Sequence, residues 1–141
     1  MQELYIGLYD YYGIHLDTKY KQPLLTPQVI DFIMERFQRG ITKKGGDIEI
    51  ICFGTEAQDH LHVLVRCKYI SHEELNKVLN DFKSDSSSFV QKEFTEIKAQ
   101  LTNNKFWRKG YRVEPKTYPS AILNLKNYIE NKPYHKTVTY I

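Results

Sequence analysis

The chain has 141 residues and a mass of 16.7 kDa, the size of one domain at roughly 100–200 residues each. It is 41% hydrophobic, 13% aromatic and 26% charged, which excludes a disordered chain, and no apolar run approaches the roughly 18 residues that cross a bilayer. The net charge of +3 is uneven, because residues 103–141 carry eight Lys or Arg against two Asp or Glu. This excess predicts either an anion-binding surface, with phosphate as the first candidate, or a solvated basic tail.

The start of the chain and its cysteines bear on where the protein works. The segment Met1-Gln2-Glu3 is acidic rather than basic and no long apolar stretch follows it, so no signal peptide is expected. Cys52 and Cys67 are too few for a disulfide framework. We therefore expect a cytoplasmic protein whose two cysteines are reduced thiols in the core.

The first predicted elements are a strand and a helix. Residues 4–18 are rich in Tyr, Ile and Leu and partly alternate, which favours a strand. Thr26 is a good N-cap and Pro27 suits the first helical position. Apolar residues then recur at helical spacing, which predicts a helix over residues 27–39 that ends at Gly40.

An antiparallel hairpin is predicted next. Residues 47–53 alternate as a strand, and residues 54–59 form the turn. The positions predicted to share one face of the first strand are Ile48, Ile50 and Cys52. The second strand alternates as well, and its predicted core-facing residues are Leu61, Val63 and Val65.

The second half of the chain predicts helices and one more strand. Ser71 and Glu74 form a capping-box pattern at the start of the first helix. The polar stretch 83–88 predicts a junction or kink between two helices. Ser120 is predicted to cap the last helix, which Pro133 stops. The predicted elements are a helix over 72–84, a helix over 87–101, a strand over 110–116 and a helix over 121–131.

The predicted order of elements is β-α-β-β-α-(α)-β-α, which is typical of an α+β fold. It contains the β-α-β-β-α-β order of ferredoxin-like or RRM-like folds, an antiparallel sheet with helices packed on it. No repeat, low-complexity tract or long linker divides the chain, so we expect a single domain over residues 1–141.

The sharpest local signal is the pair of histidines in Asp59-His60-Leu61-His62. Histidines at i and i+2 on a strand point to the same face, and the aliphatic residues between them fix the register. Two neutral imidazoles side by side form half of a site for a divalent metal ion. Two exposed strand histidines without a ligand are the alternative. The other histidines are expected at the surface, away from this pair, and are His15, His72 and His135.

Tyr128 lies at the border of the apolar stripe of the last predicted helix. Ile122, Leu125 and Ile129 form that stripe and must face the core. A tyrosine at the border can keep its ring packed and its hydroxyl in solvent. Taken alone, the position indicates an amphipathic packing residue.

Residues 106–113, Phe-Trp-Arg-Lys-Gly-Tyr-Arg-Val, mix aromatic rings with cations just before a predicted strand. Such mixtures suit single-stranded nucleic acid, because cations follow the backbone and rings stack on bases. A solvent-facing basic turn beside a core tryptophan is the alternative.

Together these motifs resemble the HUH single-tyrosine transposases of the smallest insertion sequences, of the TnpA type. HUH denotes two histidines around a hydrophobic residue, here His60-Leu61-His62. The resemblance covers residues 11–135, and its specificity comes from five pieces in the right order. The pieces are Lys19-Tyr20-Lys21, residues 59–65, Phe82-Lys83-Ser84, Phe106-Trp107 with Gly110-Tyr111, and Tyr128-Ile129-Glu130-Asn131-Lys132.

The resemblance implies that helix 121–131 carries the nucleophile of a catalytic domain. It implies that His60 and His62 hold Mg²⁺ or Mn²⁺, and that Tyr128 attacks a DNA phosphodiester to form a 5′-phosphotyrosine. It also implies a homodimer, in which the Tyr128 helix of one subunit often completes the histidine site of the other, and recognition of a DNA hairpin. The basic residues expected to contact DNA are Lys19, Lys21, Lys83, Arg108, Lys109 and Arg112.

One position departs from the family pattern. Four residues after the tyrosine, where the family usually has a third metal ligand, this chain has Lys132, whose ammonium has no lone pair for a metal. Three interpretations stay open. Asn131 or Asp59 completes the metal shell with water, or Lys132 contacts the phosphate and replaces part of the metal's charge, or the site is weakened and the protein inactive.

The sequence therefore predicts an enzyme: a metal-dependent transposase that cleaves and rejoins single-stranded DNA. A replication initiator or relaxase-like nickase with the same chemistry is one alternative. A domesticated, non-catalytic protein that binds hairpin DNA is another, and it differs in that replacing Tyr128 with Phe leaves its function unchanged.

Overall fold

The computed structural model describes residues 8–43 and 47–141. Strands and helices alternate much as the sequence predicts, with a short 3₁₀ turn at Lys19–Lys21. The strands are β1 (Asp10–Asp17), β2 (Ile48–Thr55), β3 (His60–Cys67), β4 (Arg112–Lys116) and β5 (Tyr134–Thr137). The helices are α1 (Pro27–Lys43), α2 (His72–Glu93), α3 (Thr95–Gln100) and α4 (Pro119–Glu130).

The strands of the described residues form one antiparallel sheet in the order β4-β1-β3-β2-β5. The first four positions carry the β-α-β-β-α-β chain order of a ferredoxin-like fold, so the predicted α+β class is confirmed. β5 adds an edge strand beside β2 and follows α4 in the chain. In the chain, β4 precedes α4 and β5 follows it. Both strands belong to the sheet, so the helix is anchored at both ends.

The two faces of the sheet bury different sets of side chains. Helices α1 and α2 cover one face, where Leu61, Val63 and Val65 of β3 join the main core as predicted. Helix α4 covers the other face and buries Ile122 and Ile129. Since side chains alternate along a strand, His60 and His62 lie on the face that α4 covers.

The predicted alternation of β2 fails in the middle of the strand. The register against β3 shifts between Ile50 and Cys52, which leaves Ile51 as an extra residue. Such a bulge moves every later residue to the opposite face. Phe53 therefore joins Ile50 in the main core, whereas Ile51 and Cys52 pack under α4.

The predicted junction at residues 83–88 is wrong. α2 runs through it to Glu93, and the break comes at Phe94, which starts the short α3. The serine run stays helical because Ser86 is buried, where its hydroxyl accepts a hydrogen bond from Trp107 Nε1 at 2.8 Å. The predicted helix over 87–101 is therefore the end of α2 followed by α3.

The predicted helix ends agree with the structure in part. The capping box is confirmed, because Ser71 Oγ accepts from the Glu74 amide and the Glu74 carboxylate accepts from the Ser71 amide, both at 3.1 Å. The N-cap role of Thr26 is confirmed by its bond from the Val29 amide at 3.3 Å. Gly40, however, lies inside α1, which continues to Lys43.

Two elements near the chain end also differ from the prediction. α4 begins at Pro119 after Tyr118, and no side chain caps it, so the cap assigned to Ser120 is wrong. β5 was not predicted, because four residues after a proline give too short a pattern. At the other end, β1 occupies Asp10–Asp17, and residues 4–7 of the predicted first strand lie outside the described residues.

Both cysteines are buried and free, as predicted. Burial raises the pKa of Cys52 and of Cys67 to about 12, so both stay protonated thiols. In the described part of the chain, no helix is long and apolar enough to cross a membrane.

Candidate active site

Three histidines meet on the sheet face that α4 covers. His60 and His62 project from β3, and His15 projects from β1, where its backbone is paired with that of His62. The His15 ring stacks parallel to that of His60, with 5.5 Å between centroids. It meets the His62 ring edge-on at 4.4 Å, and the rings of His60 and His62 are 5.1 Å apart.

The expectation that His15 lies apart from the pair is wrong. His15 shares one face of β1 with Tyr11 and Gly13, because side chains two residues apart on a strand lie on the same face. That much can be inferred from the sequence. What the sequence could not give is the register that sets His15 opposite His62. The other two histidines are exposed as expected: His72 packs against Tyr12, and His135 belongs to β5.

Carboxylates hold two of the three rings in place. Nδ1 of His60 donates to Asp59 Oδ1 at 2.7 Å, and Nε2 of His15 donates to Asp17 Oδ1 at 3.0 Å. Such carboxylate–imidazole pairs fix both the tautomer and the orientation of the ring. Because Nδ1 of His60 carries the proton, its Nε2 lone pair points into the site.

Burial has a strong effect on the His62 ring. Desolvation by burial lowers the pKa of His62 to about 3, and the neighbouring basic groups of His15, Lys132, His60 and Arg112 act in the same direction. The ring is therefore a neutral imidazole at physiological pH.

Tyr128 faces this cluster from α4. Its ring meets the His62 ring edge-on with 5.4 Å between centroids, and 53% of the residue is exposed. The helix can approach this closely because Gly13 lacks a side chain: a Cβ there would lie 2.7 Å from Leu125 Cδ2. The border position predicted from the helical stripe is confirmed.

Lys132 turns back into the site after α4 ends. Asn131 is the C-cap, with its amide bonded to the Asn127 carbonyl at 3.1 Å, and Lys132 is only 5% exposed. The ammonium Nζ lies 3.5 Å from Nε2 of His60 and 4.4 Å from the centroid of the Tyr128 ring. A cation thus sits between the histidine pair and the tyrosine.

The turn that carries Lys132 is held against β2. Nδ1 of His135 donates to the Lys132 carbonyl at 3.0 Å. Gly54 permits the close approach, because a Cβ there would lie 2.8 Å from the Tyr134 carbonyl oxygen and 3.2 Å from that of Ile129. The position of Lys132 therefore depends on packing between backbone segments rather than on the helix alone.

This arrangement does not fit the divalent ion that the resemblance implies. In residues 8–43 and 47–141, no three His, Cys, Asp or Glu side chains are placed to hold a metal ion. A metal bound to imidazole lies about 2 Å from the nitrogen. At His60 that place faces the Lys132 ammonium, since Nδ1 is already bonded to Asp59.

The other candidate ligands lie around the site without completing a metal shell. Asp59 is occupied with the His60 ring. The Asn131 side-chain amide donates to the Asn127 carbonyl at 2.7 Å and is exposed to solvent.

A small pocket opens beside the histidines. It has a volume of about 160 Å³, and its polar lining includes His15, His62, Arg112 and Lys116. Arg112 Nη2 donates to Nδ1 of His15 at 3.2 Å, which places a guanidinium at the pocket wall. Of the basic residues expected to contact DNA, Arg112 is the one that reaches the histidine cluster.

The remaining basic residues gather at the end of β1. The Lys19 amide donates to the Phe106 carbonyl at 2.9 Å, and the Arg108 amide donates to the Asp17 carbonyl at 2.8 Å, so the 106–110 loop lies beside residues 18–21. Lys21 pairs with Asp17 at 3.5 Å. We call this cluster the basic rim, and its members are Lys19, Lys21, Lys83, Arg108 and Lys109.

Lys83 has a structural part in the rim. Its ammonium donates to the carbonyls of Arg108 and Gly110, both at 2.9 Å. Burial lowers its pKa. The side chain thus ties α2 to the loop, while the Arg108 and Lys109 side chains remain exposed.

Comparison with solved structures agrees with this fold. Among solved structures, a protein from Deinococcus radiodurans assigned as a transposase matches with a TM-score of 0.64 and 20% identity, over 94% of this chain and 98% of that one. A REP-associated tyrosine transposase bound to a REP hairpin matches with a TM-score of 0.50 and 10% identity, over 86% of this chain and 62% of that one.

Sequence comparison is more specific. No curated protein is detectably similar to the chain. The profile of the family described as "Transposase IS200 like" matches residues 10–132, which include the three histidines, Tyr128 and Lys132. The chain is a member of the IS200-like transposase family.

Proposed function

We propose that this transposase cleaves and rejoins single-stranded DNA with Tyr128 as the nucleophile. The observation that carries the proposal is the placement of a half-exposed phenol against the histidine cluster: Tyr128 lies 5.4 Å from His62 between ring centroids. Among the exposed tyrosines of the described residues, Tyr128 is the one with ring contacts to both a site histidine and a buried cation.

The proposed reaction is a transesterification. The Tyr128 hydroxyl oxygen bonds to the scissile phosphorus, and the bond from phosphorus to the 3′ oxygen breaks. The phenolic proton is released to solvent, and the departing 3′ oxygen takes up a proton to become a free hydroxyl. One phosphate ester is exchanged for another, so a second 3′ hydroxyl can reverse the step and join the strands without an external energy source.

The surroundings of Tyr128 suit an anionic substrate. A phenol has an ordinary pKa of about 10 and is a weak nucleophile at neutral pH, so a phosphate must be brought close and its charge balanced. Lys132 brings positive charge to His60, and Arg112 brings it to His15. The basic rim then continues this positive surface along the end of β1.

Hairpin DNA is the proposed substrate class. The REP-associated transposase of similar fold is bound to a hairpin, and the basic rim offers this chain a surface for the phosphates of such a stem or its flanking strand. The homodimer implied by the resemblance remains part of the proposal, but Tyr128 and the histidines meet within one chain, so the chemistry does not need a subunit exchange.

The test is formation of a covalent protein–DNA complex. Labelled oligonucleotides that combine a hairpin with single-stranded flanks are incubated with the protein, with and without Mg²⁺, and analysed under denaturing conditions. The expected result is a slow-migrating band that Tyr128→Phe abolishes. Tyr118→Phe is the matched control, because Tyr118 is 59% exposed and lies at the opposite end of the same helix from Tyr128.

Loss of the band in Tyr128→Phe alone supports the proposal. A band that persists in Tyr128→Phe contradicts it. Tight hairpin binding by the wild type without any covalent band would instead favour a non-catalytic hairpin-binding protein.

A further inference from the structure

We propose that the ammonium of Lys132 takes the place of a divalent metal ion at the scissile phosphate, so that strand cleavage by this protein needs no metal. The inference rests on the proposed function and identifies the cation used at that same site. Three observations support it: the position of the Lys132 ammonium, the absence of a paired carboxylate among the described residues, and the hydrogen bond between the His60 ring and Asp59.

The first observation is position. Lys132 Nζ lies 3.5 Å from His60 Nε2 and 4.4 Å from the centroid of the Tyr128 ring. A metal held by His60 would need the space beside Nε2, about 2 Å from that nitrogen, on the side that the ammonium faces. The ammonium therefore occupies the region in which a cation would act.

The second observation is that no carboxylate of the described residues pairs with this buried cation. The described residues contain two buried lysines, and both are near the end of α4. Lys126 is 8% exposed and pairs with Glu130 at 2.7 Å. Lys132 is 5% exposed, and no carboxylate of the described residues pairs with it. A buried charge without a partner is costly, so the site favours an incoming anion.

The third observation is the state of the His60 ring. Since its Nδ1 donates to Asp59 at 2.7 Å, its Nε2 lone pair is free to accept a hydrogen bond from the ammonium. His60 then positions Lys132 instead of binding a metal. The Tyr128 ring adds a cation–π contact on the other side.

The chemistry of the step follows from the donors that remain. An ammonium has three N–H groups, so one can bond to His60 while the others donate to nonbridging oxygens of the phosphate. As the bond from Tyr128 to phosphorus forms and the bond to the 3′ oxygen breaks, negative charge grows on those oxygens. Lys132 stabilises that charge and keeps its own proton, while the phenolic proton goes to solvent and the 3′ oxygen gains one.

The first experiment needs no variant. The covalent complex is formed with the wild-type protein in excess EDTA, and then in Mg²⁺ or Mn²⁺. We expect the covalent complex to form at the same rate in EDTA, in Mg²⁺ and in Mn²⁺. A complex that forms only with a divalent ion would overturn the inference while leaving Tyr128 as the proposed nucleophile.

The second experiment uses Lys132→Gln, which removes the charge and supplies a side-chain oxygen. We expect the rate in EDTA to fall by about 100-fold, the usual loss for one donor to a developing charge, and Mn²⁺ to restore it. Lys136→Gln is the charge-matched control, since Lys136 is exposed four residues later. It should react like the wild type in EDTA and in Mn²⁺. Rescue by Mn²⁺ also shows that Lys132→Gln is folded.

A third measurement does not depend on activity. Mn²⁺ binding is followed by electron paramagnetic resonance for the wild type, Lys132→Gln and Lys136→Gln without DNA. The inference expects Lys132→Gln to bind Mn²⁺ more tightly than the other two proteins. Equal binding by the wild type and Lys132→Gln would overturn it. Absence of a covalent complex in every protein and condition would overturn the proposed function itself.

Discussion

The ring of Tyr128 stands edge-on against the ring of His62 in the same chain, with 5.4 Å between the two centroids. The helix that carries Tyr128 cannot easily leave this position, because the chain continues from α4 into β5, which pairs with β2. Together, the helix packing and the added strand assemble the candidate site from one polypeptide.

This assembly predicts the outcome of mixing two impaired variants. Tyr128→Phe is expected to lose the covalent complex, and His60→Ala is expected to lose most of it because His60 positions Lys132. A mixture of the two should remain as weak as His60→Ala alone, because neither chain holds a complete site. The measurement is complex formation after the two proteins are co-refolded. Restored activity in the mixture would mean that the helix is exchanged between subunits.

Gly54 should be needed for the turn that places Lys132. In Gly54→Ala the new methyl group meets the Tyr134 carbonyl oxygen at 2.8 Å, and crowding of this kind typically costs about 1–3 kcal/mol of unfolding free energy. Gly40→Ala is the control, because Gly40 lies inside α1 with nothing within 4 Å of the added Cβ. That change should stabilise the protein by about 0.5–1 kcal/mol. Urea denaturation of both variants measures the difference.

The hydrogen bonds by which Glu130 joins α4 to β5 should weaken in acid. Burial opposes ionisation of Glu130, but hydrogen bonds from Lys126 at 2.7 Å and Thr137 at 2.6 Å outweigh it and hold the Glu130 pKa below its ordinary value. A lowered folded-state pKa stabilises the protein above the ordinary carboxyl value of about 4.3 and loses that contribution as the pH falls through the lower value. Glu130→Gln removes this contribution. The stability difference between wild type and variant should shrink as denaturation is repeated from pH 6 down to pH 3.

A difference that stays constant over this range would show that Glu130 acts only through packing. The same series gives the control, because the other acidic residues remain in both proteins and their contributions cancel in the comparison.

Arg112 should contribute one phosphate contact to DNA binding. Each phosphate neutralised on a single strand gives a slope of about −0.7 in log affinity against log salt. Arg112→Gln should therefore weaken binding and make the slope shallower by about 0.7. Arg39→Gln is the control, since Arg39 pairs with Glu35 on α1, which covers the opposite face of the sheet. Fluorescence anisotropy at several salt concentrations measures both, and an unchanged slope for Arg112→Gln would place it outside the DNA path.

Local patterns were sufficient for much of the fold. The aliphatic residues of β3 fix which face the His60 and His62 side chains take, and the apolar stripe of α4 places Tyr128 at its border. Both predictions depend only on the period of a strand or a helix, which a sequence carries directly.

The rest of the site depends on contacts between distant segments. His15 enters through the pairing of β1 with β3, and the sequence of neither strand specifies that register. The bulge at Ile51 and the helical serine run around Ser86 likewise depend on partners elsewhere in the chain. The chemistry of Lys132 is evident from its residue type, but its place beside His60 is not, because the turn into β5 determines that place.

The most direct test of the account is to locate the bond to DNA by mass spectrometry. The covalent complex is trimmed with nuclease and digested with trypsin, which does not cut before proline, so Tyr128 falls in the peptide 127–136 together with Tyr134. We predict that the remaining nucleotide lies on this peptide and that fragment ions assign it to Tyr128. A nucleotide on Tyr134, on Tyr118 or on any other residue would contradict the central claim.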